Sequence, residues 1–140
     1  MIFLILLNAV LLIMLAFLHI FWAMGGNFGM NAVLPSLSPE HSPKHPSTFA
    51  KAAVAAVLML FAFIVMCNSG IIDPYIERRY IQYITMAIGV LFLGRAIGDF
   101  KFVGFFKKIQ STLFAKNDTR YYSPLCVLIG LNCILMVLIE

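Results

Sequence analysis

The sequence predicts an all-α integral membrane protein: a four-helix bundle with a cytoplasmic amphipathic helix in the membrane interface between the third and fourth spans. Two observations predict this class. Hydrophobic residues make up 62% of the chain and charged residues only 11%, which is far from the average of soluble domains. The apolar residues also form four long runs, each about the length that a helix needs to cross ~30 Å of hydrocarbon. Isolated strands are excluded because their unpaired backbone groups are costly in lipid, and barrel strands because the apolar runs do not alternate.

The four predicted spans cover about 2–24, 49–67, 80–97 and 123–139, within one membrane domain that comprises 1–140. The segment 25–48, between the first two spans, is rich in glycine and proline, which disfavour regular helix. The segment 100–115 repeats phenylalanine and other apolar residues at helical spacing, with lysines between them. This pattern predicts the amphipathic helix on the membrane surface.

The distribution of basic residues predicts the orientation. Of the ten Lys and Arg residues, only Arg78 and Arg79 lie in the loop between the second and third spans, and the others lie at the opposite membrane face. By the positive-inside rule, the first and third loops are expected in the cytoplasm and both termini on the outer side. The net charge of +4 then faces anionic lipid, so membrane lipids are the expected partners and no nucleic acid is required.

Small residues predict where membrane helices approach one another. Ala52 and Ala56 form a small-xxx-small pair in the second span, and Gly94 and Gly98 form a GxxxG motif at the end of the third. Such residues let helix backbones come close, so we expect both pairs to pack inside the bundle. Small-residue faces also offer a route to a homo-oligomer.

Polar residues inside the spans are candidate functional groups, because burying them in lipid is costly. Thr85 and Asn132 are expected to form hydrogen bonds between helices. His19 and Trp22 lie about one turn apart near the predicted cytoplasmic boundary. They fit two interpretations: an interfacial tryptophan beside a hydrogen-bonded histidine, or the lining of a pocket that opens to the cytoplasm.

Arg95 and Asp99 lie four residues apart, on one helical face where the third span ends. They also fit two interpretations. The pair forms an ion pair that marks the end of the helix, or Arg95 holds an anionic or carbonyl group of a ligand while Asp99 orients it.

The topology brings these groups to the same membrane face as the glycine-rich loop and the third loop. The predicted ligand-binding residues are Trp22, Gly25, Gly26, Phe28, Arg95, Asp99 and Tyr122. The predicted contacts with lipid headgroups are Lys101, Lys107 and Lys108. The candidate catalytic acids or bases are His19, Asp99 and Asp118. No cofactor is expected. No metal site is expected either, since Pro43 interrupts the helical face that His41 and His45 would need.

Three blocks of sequence resemble the bacterial domain-of-unknown-function 3995 family of small membrane proteins. They are "HIFWAMGGNFGMNAVLP" at 19–35, "RAIGDFKFVGFFKK" at 95–108 and "FAKNDTRYYSPLC" at 114–126. Phe28 stands where the family usually has tryptophan. The resemblance implies a four-helix protein of the bacterial inner (plasma) membrane and supplies no established activity.

Three functions fit these residues. The first is binding of a lipid, a quinone or another small amphiphile at the cytoplasmic end of the bundle. The second is a subunit or regulator of a larger membrane complex. The third is a membrane enzyme that acts on a lipid-soluble substrate with His and Asp residues as acid and base.

Overall fold

A computed structural model describes residues 1–26, 47–98 and 123–139 of the chain. In these ranges the chain forms four α-helices: α1 (Ile2–Ala23), α2 (Thr48–Cys67), α3 (Arg78–Ile97) and α4 (Ser123–Ile139). The prediction of an all-helical, four-helix protein is therefore confirmed for the described part of the chain. The amphipathic helix predicted for 100–115, and nearly all of the loop predicted for 25–48, lie outside the described residues.

Local sequence accounts for several helix ends. Ser47 caps the start of α2, where its Oγ accepts a hydrogen bond of 3.2 Å from the backbone N–H of Ala50. Pro124 lies in the first turn of α4, where a missing N–H costs nothing. Arg95 lies in the last turn of α3, where the partial negative charge of the helix carbonyl end favours a positive side chain.

The helices form an antiparallel ring. α1 packs most extensively against α2, and α3 against α4, while smaller contacts join α1 to α4 and α2 to α3. The chain thus forms two helical hairpins that lie side by side. We call the end where α1 and α3 finish the His19 end, and the end where α2 finishes and α3 begins the Asn68 end.

The core and the surface of the bundle are both apolar. Side chains with no exposed surface include Ile5, Leu12, Val65, Ile129 and Met136. Large apolar side chains such as Phe3, Met14 and Leu138 face outward, 70%, 63% and 71% exposed. Three helices, α1, α2 and α3, are long and apolar enough to cross a membrane, and α4 is apolar but shorter at 17 residues. An outward apolar surface is what lipid favours and water does not.

α3 and α4 come closest at two glycines. A Cβ atom on Gly89 would lie 2.9 Å from the carbonyl oxygen of Gly130, and one on Gly130 would lie 2.8 Å from Cγ of Leu93. Real Cβ atoms do not approach other atoms this closely, so the crossing requires glycine at both positions.

The expectation that Ala52, Ala56 and Gly94 pack inside the bundle is wrong. Ala52, Ala56 and Gly94 are exposed, and a Cβ on Gly94 would have no atom within 4 Å. The buried small residues of α2 are instead Ala55 and Ala62. Lipid and protein interior are equally apolar, so a pair of small residues does not by itself reveal which of the two it faces.

Candidate functional site

The last turns of α1 place His19 and Trp22 in direct contact. Their ring centroids lie 5.1 Å apart with an angle of 70° between the ring planes, which is an edge-to-face arrangement. Trp22 is buried, whereas His19 is only partly buried. Nδ1 of His19 lies 2.7 Å from the carbonyl oxygen of Leu15, one turn earlier. The ring is therefore held by a hydrogen bond and by an aromatic contact.

Gly25 and Gly26 end α1 with a tight turn. The N–H of Gly26 donates to the carbonyl oxygen of Phe21 at 3.0 Å, and the N–H of Gly25 donates to the carbonyl oxygen of Trp22 at 3.1 Å. Gly25 has a φ of +99°, a conformation that other residues rarely adopt. These two bonds and the left-handed residue define a Schellman motif. Gly26 is also tightly confined, because a Cβ there would overlap the ring of Phe21.

Lys51 brings a positive charge to the same turn. Its Nζ donates to the carbonyl oxygen of Trp22 over 3.5 Å, a long hydrogen bond from the first turns of α2 to the end of α1. The carbonyl end of a helix carries a partial negative charge, so an ammonium group there is favourable. In the sequence, Lys51 contributes only to the predicted distribution of basic residues. Its position beside the end of α1 could have been predicted from the antiparallel packing of two consecutive helices joined by a loop.

Arg95 lies at the same end of the bundle, on α3. It is partly buried, and its Nη1 has no solvent-exposed surface. Its neighbour Ala96 is buried in the core. In the antiparallel ring, α1 and α3 occupy diagonal positions. His19 and Arg95 are therefore on opposite helices of one bundle end.

Seven predicted site residues lie outside the described residues, so their roles stay predictions. They are Phe28, Asp99, Lys101, Lys107, Lys108, Asp118 and Tyr122. Within the described residues, the structure joins His19, Trp22 and Lys51 through direct contacts and places Arg95 at the same end. The predicted pairing of Arg95 with Asp99 and the predicted acid or base role of Asp118 are therefore not tested by the described residues.

A second polar group lies toward the Asn68 end, between α1 and α4. Nδ2 of Asn8 donates to the carbonyl oxygen of Ile129 at 3.0 Å and to Sγ of Cys133 at 3.2 Å. Oδ1 of Asn8 accepts from Nδ2 of Asn132 at 3.1 Å. The expectation that Asn132 bonds to another helix is confirmed.

α2 and α3 have a matching connection. Asn68, just after α2, donates through Nδ2 to Oγ1 of Thr85 at 2.8 Å, and Thr85 donates to the carbonyl oxygen of Ile81 at 2.8 Å. Nη2 of Arg78 donates to the backbone oxygen of Asn68 at 2.9 Å. The expectation that Thr85 forms a hydrogen bond to a neighbouring element is thus confirmed. The role of Asn68 was not predicted, because the residue lies just beyond the apolar run of the second span.

The comparisons with known proteins support one assignment. Residues 12–133 match the model of a family described as "Protein of unknown function (DUF3995)". No curated protein and no solved structure matches the chain significantly.

Proposed function

The chain belongs to the DUF3995 family, and we propose that it is a multi-pass membrane protein that binds a small amphiphile at the His19 end of its bundle. The family carries no established activity, so the proposal rests on the chain's own residues. Three helices long and apolar enough to cross a membrane support the membrane setting.

The observation that carries the proposal is the contact between His19 and Trp22. An ionisable ring on a membrane helix is costly to bury in lipid. Such residues are therefore functional candidates by default. Here the ring is partly exposed at a bundle end and is packed against a buried indole. An apolar wall with one or two fixed polar groups is the usual composition of a small-molecule site.

Charge at the same end supports a ligand that comes from the membrane. Lys51 contacts the end of α1, and Arg95 lies in the last turn of α3. By the distribution of basic residues, this end faces the cytoplasm, where anionic headgroups attract cations. The predicted amphipathic segment 100–115, with Lys101, Lys107 and Lys108, would lie on the same leaflet of a bacterial inner membrane.

Native mass spectrometry after gentle detergent extraction tests the proposal. We expect the wild-type protein to carry a bound amphiphile that is identified after release. Arg95→Ala should reduce its occupancy about tenfold, because a charge-assisted contact contributes roughly 1.5–3 kcal/mol. Arg79→Ala is the matched control, since it removes an exposed arginine from the opposite end of α3 and should leave the occupancy unchanged.

Two results would contradict the proposal. One is wild-type protein that carries no amphiphile even when brain or bacterial lipid extract is added before extraction. The other is an equal loss of ligand in the Arg95 and Arg79 variants, which would indicate general attraction to lipid rather than a site at the His19 end.

A second candidate function, a subunit or regulator of a membrane complex, is favoured by the outward position of small residues. Ala52, Ala56 and Gly94 face away from the bundle core. Small residues on an outer helix face permit close approach of another membrane helix. The same spectra separate the two functions, because a subunit would appear as a homo-oligomer or with a stoichiometric protein partner, and a lone monomer would contradict it.

A further inference from the structure

His19 lies on the core-facing stripe of α1 at the point where the core ends. The stripe runs through Ile5, Leu12 and Ala16, which have no exposed surface. His19 follows Ala16 by three residues and so continues the same face of the helix. Unlike those residues, it is only partly buried. Its ring therefore borders the interior of the bundle and keeps some exposed surface near the His19 end.

The hydrogen bond to Leu15 determines which nitrogen of the ring can receive a ligand. A carbonyl oxygen only accepts, so Nδ1, 2.7 Å from the oxygen of Leu15, must carry the hydrogen. In the neutral ring, Nε2 then holds the lone pair and acts as an acceptor. Within residues 1–26, 47–98 and 123–139, no group donates a hydrogen bond to Nε2.

The acceptor also has a fixed direction. The bond to Leu15 restrains one side of the imidazole, and the edge-to-face contact with Trp22 restrains the plane of the ring. A group held by two contacts loses little further freedom when it binds a ligand, which favours affinity.

We propose that the site accepts an amphiphile whose headgroup carries a hydroxyl group, which donates its hydrogen to Nε2 of His19. This inference rests on the proposed function and specifies its ligand class. A hydroxyl supplies the hydrogen that an acceptor requires. Carboxylate and phosphate oxygens without a hydrogen, and quaternary ammonium groups, offer none to Nε2. Alcohols and phenols with an apolar tail therefore fit the site.

A matched pair of probes tests the ligand class on the full-length protein in detergent: 4-nonylphenol and its methyl ether, 4-nonylanisole. The two differ in whether the oxygen carries a hydrogen or a methyl group. Trp22 is the one tryptophan of the chain, so its fluorescence reports binding at the site, with calorimetry as an independent measure. We expect the phenol to bind about tenfold more tightly, which corresponds to one hydrogen bond to a fixed polar group.

Two variants identify the acceptor. His19→Phe keeps an aromatic ring but removes Nε2, so it should bind the phenol and the ether equally. Phe17→Leu changes an outward side chain of α1, 59% exposed, and should keep the preference for the phenol.

Each remaining outcome has a distinct meaning. If the wild-type protein binds both probes equally, the hydroxyl inference is overturned while amphiphile binding stands. A preference for the phenol that persists in His19→Phe also overturns it, because the acceptor would then lie elsewhere. If neither probe binds, both the inference and the proposed amphiphile site fail.

Discussion

Asn8 is a buried polar side chain that connects two helices. Its amide makes three hydrogen bonds, and all its partners lie on α4: Ile129, Asn132 and Cys133. The residue has no exposed surface. In lipid, no water is present to replace these bonds, so an amide at this depth needs partners on a neighbouring helix. Asn8 therefore ties α1 to α4 at a defined height.

A double-mutant cycle should measure this connection. We expect Asn8→Ala and Asn132→Ala each to lower the free energy of unfolding by about 1–2 kcal/mol. Because the two amides bond to each other, the double variant should lose less than the sum of the single losses. The coupling energy should be about 0.6–1.7 kcal/mol, the range found between membrane helices. Unfolding in mixed micelles with increasing sodium dodecyl sulfate provides the measurement.

Leu131→Ala is a suitable control for the cycle. Leu131 is the neighbour of Asn132 but faces outward, 47% exposed, and detergent can replace its contacts. It should show no coupling to Asn8→Ala. Strictly additive losses at Asn8 and Asn132 would contradict the hydrogen bond as a stabilising contact.

At the scale of elements, the contact between α3 and α4 depends on glycine. Gly89 and Gly130 lie against each other, and the space beside each is smaller than a methyl group. Lipid gives helices no hydrophobic drive to associate, so close backbone approach and its dispersion energy stabilise this pair. Gly94, five residues further along α3, lies outside the contact.

Alanine substitutions on α3 should therefore have opposite signs at two glycines. Gly89→Ala should destabilise the protein by about 1–3 kcal/mol, because the new methyl group forces the helices apart. Gly94→Ala should stabilise it by about 0.5–1 kcal/mol, because alanine favours an exposed helix more than glycine does. Thermal unfolding in detergent distinguishes the two variants. Equal effects at both positions would contradict the described crossing.

At the scale of the whole molecule, the apolar exterior suits lipid on every side and so does not orient the helices, which leaves the orientation to the loops. The connection between α2 and α3 contains Tyr75, which is 97% exposed. Phe49, 82% exposed, lies at the opposite end in the first turn of α2. By the positive-inside rule, we expect Tyr75 on the outer side and Phe49 on the cytoplasmic side.

Cysteine labelling should test this orientation. We expect a membrane-impermeant maleimide to label Tyr75→Cys in intact spheroplasts and to label Phe49→Cys only after the membrane is opened. The wild-type protein supplies the background, since its cysteines Cys67, Cys126 and Cys133 are all buried. The reverse pattern would invert the proposed topology and move the His19 end to the outer side.

The four helices could be predicted from the sequence because a helix that crosses a bilayer needs an apolar run of about 20 residues, which is easily recognised. The sequence also predicted that Thr85 and Asn132 bond to neighbours, since polar groups cannot face lipid cheaply. It did not predict which small residues pack inside. Helices that are apolar on every side show little periodicity, so the GxxxG motif indicated Gly94, whereas Gly89 makes the contact with α4.

The candidate site was predicted only in part, for a related reason. Residue type and helix register were enough to select His19 and Trp22 and to place Arg95 at the same end. The tautomer of His19 depends on a backbone oxygen, and the contact of Lys51 depends on how two helices pack. Neither is encoded in a local motif.

Two pairs of polar side chains connect the two helical hairpins. Asn8 with Asn132, and Asn68 with Thr85, join α1 to α4 and α2 to α3, and both connections lie toward the Asn68 end. At the His19 end, the described polar contact of Lys51 stays within one hairpin. Separating the hairpins toward the Asn68 end therefore requires that both amide connections break.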